Sequence, residues 1–163
     1  MKLRNWSLED LESLVKYANN PNIAVNLTNG FPHPYTEEVG RGFIKMAMKG
    51  TPKNILAITV DNEAIGGIGL HLQDDISCKN AEIGYWLAEP FWGKGIMTKA
   101  IVKIVEYGFQ NWDINRIYAR PFGTNIGSQR ALEKAGFTLE ARFEQTLFKD
   151  GIYYDELVYA IRK

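Results

Sequence analysis

One stretch limits the folds open to this chain more than any other. Asn80-Ala81-Glu82-Ile83-Gly84-Tyr85-Trp86-Leu87-Ala88 has strand character, Trp92-Gly93-Lys94-Gly95 forms a glycine-bearing turn, and an amphipathic segment then runs to Phe109. Strand, tight turn and long helix must follow one another within a few residues. A helix that starts in such a turn presents N–H groups without intrahelical partners, and its dipole favours an anion above them. Gly93 and Gly95 allow the backbone to approach that anion closely. The local expectation is a phosphate-bearing ligand held by the amides of Gly93, Lys94, Gly95, Ile96, Met97 and Thr98, with the Lys94 charge reinforcing them.

The segments around this stretch alternate between helical and strand periodicity. Lys2 to Trp6 reads as a short strand and Ser7 as an N-cap, with Leu8, Leu11, Leu14, Val15 and Ala18 at helical spacing up to Asn19-Asn20-Pro21. Asn22 to Thr28 is a candidate second helix, and the two prolines of Phe31-Pro32-His33-Pro34-Tyr35 stop it. Thr36 caps a third helix whose expected buried face is Phe43, Ile44, Ala47 and Met48. The period then changes to two. Asn54 to Val60 and Ala64 to Gln73 form a hairpin about Asp61-Asn62, with Ile68, Leu70 and Leu72 expected on one buried face. After the long helix come a strand from Asn115 to Phe122 and a short helix from Asn125 to Ala135, ending at Gly136. Two closing strands, Phe137 to Phe148 and Tyr153 to Ile161, turn at Lys149-Asp150-Gly151. Helices and strands share one core in this order, so an α/β or α+β fold with a mixed sheet is expected.

Composition removes several function classes. At 163 residues the chain is expected to be one domain, residues 1–163, long enough to bury roughly 70% of its unfolded surface. Lys plus Arg equals Asp plus Glu at 19 each, so no general field draws it to nucleic acid or an anionic membrane. Cys78 is the only cysteine, which rules out an intrachain disulfide and multi-thiolate metal sites, so no metal is expected. The chain start lacks a signal-like apolar run and nothing later has the length of a membrane span, so a soluble cytoplasmic protein is the expectation.

Spacing excludes two phosphate-binding motifs at the glycine turn. A nucleotide P-loop needs glycine, four residues, then Gly-Lys-Ser/Thr, a string absent from the chain. The dinucleotide fingerprint needs a third glycine where Thr98 stands. Three separated motifs instead resemble the GNAT acetyltransferase superfamily, and within it the ribosomal-protein N-acetyltransferase-like branch. Ala81-Glu82-Ile83-Gly84-Tyr85-Trp86-Leu87 is similar to the branch's fourth strand. Phe91-Trp92-Gly93-Lys94-Gly95-Ile96-Met97-Thr98 is similar to its pyrophosphate turn, with Trp92 at the place of the superfamily's usual Gln or Arg and Met97 at that of a Gly or Ala. Asn125-Ile126-Gly127-Ser128 with Glu133-Lys134-Ala135-Gly136-Phe137 is similar to its Asn-x-x-Ser helix and closing Lys-x-Gly-Phe.

The resemblance implies a mostly antiparallel twisted sheet of about six or seven strands, flanked by about four or five helices. It also implies direct transfer of an acetyl group from acetyl-CoA to an amine, by a monomer or homodimer. The favoured acceptor is a protein N-terminal α-amine, and a polyamine, amino acid or antibiotic amine is the runner-up. A binding module that holds acyl-CoA without turnover is an alternative of another class. The family splays its fourth strand from a neighbour with a bulge, and Tyr85, Trp86 and Leu87 would then hold the pantetheine arm through free backbone groups. Glu82 matches the strand-four glutamate that serves as base in related histone acetyltransferases. His71 is the alternative, because imidazole exchanges a proton near neutral pH. The proton-donating tyrosine of many members has Leu132 at its place here, so Ser128, a turn earlier, becomes the expected hydrogen-bonding partner of the sulfur. Asn125 is expected to contact the pantetheine chain. Phe31, Tyr35, Glu82 and Tyr153 are the expected acceptor contacts, with Tyr154 beside Tyr153 on the same wall.

Overall fold

The computed structural model describes residues 1–163. Seven strands form one sheet: β1 (Lys2–Arg4), β2 (Ile55–Val60), β3 (Glu63–Leu72), β4 (Asn80–Leu87), β5 (Arg116–Ala119), β6 (Thr138–Lys149) and β7 (Ile152–Arg162). Five α-helices accompany it: α1 (Leu11–Ala18), α2 (Pro21–Ala24), α3 (Glu37–Ala47), α4 (Ile96–Asn111) and α5 (Ile126–Lys134). The strand order is β1-β2-β3-β4-β5-β7-β6, and every neighbouring pair is antiparallel except β4 and β5.

α2, α3 and α5 each begin where a polar side chain meets a free amide. Thr36 Oγ1 accepts from the Val39 amide at the head of α3, and Asn125 Oδ1 accepts from the Ser128 amide at the head of α5. Pro21 opens α2 at the position where its missing N–H is harmless. The helices cover both faces of the sheet. Ile101, Ile104 and Val105 of α4 and Leu132 of α5 pack with Ile58, Ile68, Leu70 and Ile83. On the other face Leu14, Ala18 and Ile44 pack with Trp6, Ala57 and Trp86. This two-sided cover explains why β3 is buried from Ala64 through Leu70 instead of on the single face its alternation suggested. Leu72 and Met48, both expected inside, are 44% exposed because each lies beyond the end of that cover.

Two strand boundaries differ from expectation in a way that shapes the site. β5 stops at Ala119 instead of Phe122, since Pro121 has no N–H to give a ladder. β4 pairs with β5 only through Asn80↔Arg116, Ala81↔Ile117 and Glu82↔Tyr118, then runs on to Leu87 against β3 alone. The β3–β4 register is uninterrupted, so the two parallel strands part without the expected bulge. A fork opens after Glu82.

At the opposite edge, a buried ion pair fastens the N-terminal segment. Arg4 of β1 donates to both carboxylate oxygens of Asp10 at 2.6 and 2.8 Å and also to the Asn62 carbonyl in the β2–β3 turn. Asp10 is only 6% exposed and accepts from the Ser7 amide as well. Burial alone would raise the Asp10 carboxyl, but the bonds from Arg4 and Ser7 hold it below the usual carboxylate range. A depressed folded-state pKa contributes stability above the unfolded value, about 3.9, and that contribution is lost as pH falls through the folded value. Asp10→Asn should therefore cost about 1–3 kcal/mol at pH 7, Arg4 being partly solvated. In urea unfolding the deficit should shrink on acidification to about pH 3; an equal deficit at both pH values would contradict the pair's role.

Candidate functional site

Backbone geometry at the fork decides which groups are free. The Gln73 amide bonds the Asn80 carbonyl and the Ala88 amide bonds the Ile65 carbonyl, so even-numbered residues of β4 turn their polar backbone toward β3. The alternation of a strand then sends the N–H and C=O of Ile83, Tyr85 and Leu87 toward the side that β5 has left. Trp86, expected among the free amides, belongs instead to the β3 ladder opposite Gly67. The Leu87 carbonyl is taken by the Trp92 indole N–H at 2.7 Å, which ties the glycine turn to the end of β4.

The turn is built as its glycines suggested. Gly93 and Gly95 have φ of 72° and 71°, the left-handed region that costs other residues roughly 1–2 kcal/mol. The first helical bond of α4 runs from the Lys99 amide to Gly95, and the Trp92 amide bonds back to Glu89. Between them the amides of Gly93, Lys94, Gly95, Ile96, Met97 and Thr98 have no protein acceptor. Six successive N–H groups at the head of a 16-residue helix fit a pyrophosphate. Lys94 does not line the cleft; its ammonium rests over the Phe91 ring at 5.4 Å. Met97 does line it, despite replacing a smaller residue of the motif.

Two clefts meet at the fork. The first, about 610 Å³, runs from this turn past Tyr85 and Leu87 to Asn125, Ile126 and Ser128 of the α5 head. Arg130 and Lys134 also line it, a pair of cations one helical turn apart that sequence reasoning passed over although their i, i+4 spacing put them on the Ile126 face. The second cleft, about 660 Å³, lies on the α1–α3 face and is lined by Phe31, Tyr35, Phe43, His71, Glu82, Gly84, Trp86, Arg120 and Phe122. Tyr85, Trp86, Asn125, Ser128, Asn26 and Leu27 border both. The Tyr85 and Ser128 hydroxyls bond each other at 2.6 Å across that junction. Burial pushes the Tyr85 phenol well above its usual range, and the bond to Ser128 offsets only part of this.

The second cleft has an aromatic end and a polar end. Phe31 lies 5.1 Å from Tyr35 and 5.8 Å from Trp86 between ring centroids. Burial raises the Tyr35 phenol to about 12, which keeps this wall neutral. At the polar end Glu82 and His71 are register partners across β3 and β4. The His71 ring lies over Gly84, where an added Cβ would come within 3.5 Å of Nε2. Arg120 grips Glu82 through Nε at 2.9 Å and Nη2 at 3.2 Å, and reaches Glu156 at 3.2 Å. No sequence signal marked Arg120, because β5 was expected to run past it. Tyr153 lines neither cleft: it stacks on Phe148 at 4.8 Å on the exposed face of the last hairpin. Its neighbour Tyr154 is the one that reaches the cleft wall, 5.3 Å from Phe122.

Comparison with known proteins is consistent with this geometry. Residues 1–138 match the family model described as an acetyltransferase (GNAT) domain. YoaA of Bacillus subtilis, named an uncharacterized N-acetyltransferase, is 39% identical over 160 residues, 98% of this chain and 80% of that protein. Another Bacillus subtilis relative, 36% identical, is matched over 103 residues, which span 56% of its length. A solved structure of RimL, described as a ribosomal L7/L12 alpha-N-protein acetyltransferase in complex with coenzyme A, aligns with a TM-score of 0.85. Its identity is 25%, over 98% of this chain and 92% of that one. The microcin C7 self-immunity acetyltransferase MccE, solved with acetyl-CoA and AMP, aligns at 0.83 with 28% identity, over 99% and 91%.

The anion site can be tested with inorganic pyrophosphate alone. In a titration followed by NMR, the amide resonances of Gly93 through Thr98 should move first. Gly95→Ala, which has open space for its methyl group and only the backbone φ against it, should weaken binding about 5- to 30-fold. Lys94→Ala should change it less than about threefold. Equal losses in the two variants would argue against a backbone-built site.

Proposed function

The chain belongs to the GNAT acetyltransferase family, and on that premise we propose that it acetylates the α-amine of a protein N-terminus with acetyl-CoA, in a single ternary complex. The observation that carries this reading is the meeting of two clefts at the β4–β5 fork. One offers free amides for a pyrophosphate, the other a polar pocket behind an aromatic wall. Acetyl-CoA supplies an activated acyl group; the protein's share is to hold it, to neutralise the amine and to stabilise the charge that develops.

Each share has residues suited to it. The Gly93–Thr98 amides would hold the pyrophosphate, with Arg130 and Lys134 supplying positive charge along the same cleft. The backbone of Ile83, Tyr85 and Leu87 and the Asn125 side chain would hold the amide-bearing arm, which runs along β4 in place of the departed β5. An N–H of the fork would stabilise oxygen charge as the acyl carbon is attacked. RimL, whose printed description is an alpha-N-protein acetyltransferase, supports the choice of an N-terminal acceptor.

An amine must lose its proton to attack, and a free α-amine has a pKa of about 7.7–8.0. The two expected bases divide this work. Glu82, fixed by the two bonds from Arg120, attracts and orients the ammonium, while the His71 ring has no hydrogen-bond partner in the protein and accepts the proton. A second reading, a small-molecule amine, draws on the Phe31, Tyr35 and Trp86 wall, which can stack a planar ring, and on the nucleotide in the MccE structure.

Coenzyme A release should be measured against N-terminal peptides and against small amines carrying a planar ring. Turnover on peptides is the expected result, and turnover on the small amines alone would favour the second reading. Tight CoA binding with no turnover on either set would make the protein a binding module. With a working acceptor, His71→Ala should lower the rate roughly 100-fold at neutral pH, with partial recovery in alkali. Glu82→Gln should raise the acceptor KM more than it lowers kcat. If instead Glu82→Gln abolishes the decline in rate at low pH and His71→Ala leaves it intact, Glu82 is the base.

A further inference from the structure

The two hydroxyls at the junction carry more hydrogens than the protein uses. Tyr85 Oη and Ser128 Oγ each hold one hydrogen, and their 2.6 Å bond engages only one of the two. Neither oxygen has any other hydrogen-bond partner among the side chains and backbone around it; the Ser128 amide is committed to Asn125 Oδ1. A phenol is a stronger acid than an alcohol, so the stable arrangement has Tyr85 donating to Ser128. That leaves the Ser128 hydrogen free to point into the junction of the clefts. A hydroxyl that accepts one hydrogen bond becomes a better donor in the next.

Resting on the donor-cleft reading above, we infer that Tyr85 is a positioning residue for acyl transfer: it orients and polarises Ser128 so that the serine hydroxyl hydrogen-bonds the departing sulfur of coenzyme A. The sequence had marked Tyr85 for its backbone only. The residue lies on β4 and its partner on α5, 43 positions apart, so the side-chain pairing exists only in the fold. In the step itself a C–N bond forms, the C–S bond breaks and its electron pair stays on sulfur. Neither hydroxyl gives up its proton, since a thiol is a stronger acid than an alcohol and than a phenol that burial has raised, as it has Tyr85. The ammonium gives up one proton before attack and the attacking nitrogen a second as the amide forms, both through the acceptor cleft; the thiolate later takes one from solvent, so protons balance with one released. The pair's contribution is to lower the basicity of the leaving sulfur while the bond breaks.

The acidity of the bound thiol reads this directly and needs no turnover. Coenzyme A is bound to the protein and its thiolate absorbance is followed in the ultraviolet as pH is raised. The thiol should titrate lower in the wild-type complex than free in solution. In Tyr85→Phe, which keeps the ring and removes only the hydroxyl, the titration should move toward the free value by about half a unit to one unit. Ser128→Ala should move it at least as far, and Tyr85→Phe/Ser128→Ala no further than Ser128→Ala. In turnover, Tyr85→Phe should lose about tenfold in kcat with its KM for acetyl-CoA within about twofold. A bound thiol that titrates identically in wild type and Tyr85→Phe overturns the inference, as does a double variant in which the two effects add. Calorimetry showing no CoA binding to the wild type overturns the donor-cleft reading itself, and this inference with it.

Discussion

The fork between β4 and β5 rests on a shortage of hydrogen-bond partners. Three residues of β4 pair with β5, and beyond Tyr118 the shorter strand follows β7 alone, through Ala119↔Tyr159 and the Phe122↔Glu156 bridge. Beyond Glu82 one edge of β4 keeps its polar backbone without a ladder, in the middle of a sheet where such groups are normally paired. The β3 side compensates with an unbroken register, and the Trp92 indole satisfies Leu87 at the far end. What stays free between these points is a short strand edge aimed into a cleft. The anion-binding turn follows immediately, because the chain that leaves β4 has to reverse into α4.

The same arrangement separates two kinds of recognition. The first cleft offers chiefly main-chain groups: the fork edge and six turn amides. The second offers side chains, with Phe31, Tyr35 and Trp86 at one end and His71, Glu82 and Arg120 at the other. Strand alternation keeps the two apart, since odd positions of β4 face α4 and α5 while Glu82, Gly84 and Trp86 face α1 and α3. Of the polar side chains that border both, Asn26, Tyr85, Asn125 and Ser128, it is Tyr85 and Ser128 that bond each other across the junction.

Local chemistry was legible in the sequence and long-range pairing was not. The glycine turn, the caps at Thr36 and Asn125 and the order of the elements all follow from nearest neighbours, and the structure holds them as read. The misjudged points depend on what arrives from elsewhere. Alternation in β3 suggested one covered face, but helices arrive on both. Arg120 becomes a partner of Glu82 only because β5 stops just before it, and Tyr85 meets Ser128 only because α5 returns over the fork. Tyr153 and Tyr154 both looked like acceptor contacts from their place near the last hairpin, but strand parity points Tyr153 outward and only Tyr154 in.

Lys149, at the end of β6, gives its ammonium to the carbonyls of Ala24 and Leu27. Both residues are more than 120 positions away in the chain, and Leu27 borders the place where the clefts meet. One cation thus holds an early loop against a late hairpin, so a displacement of either segment would carry the other with it.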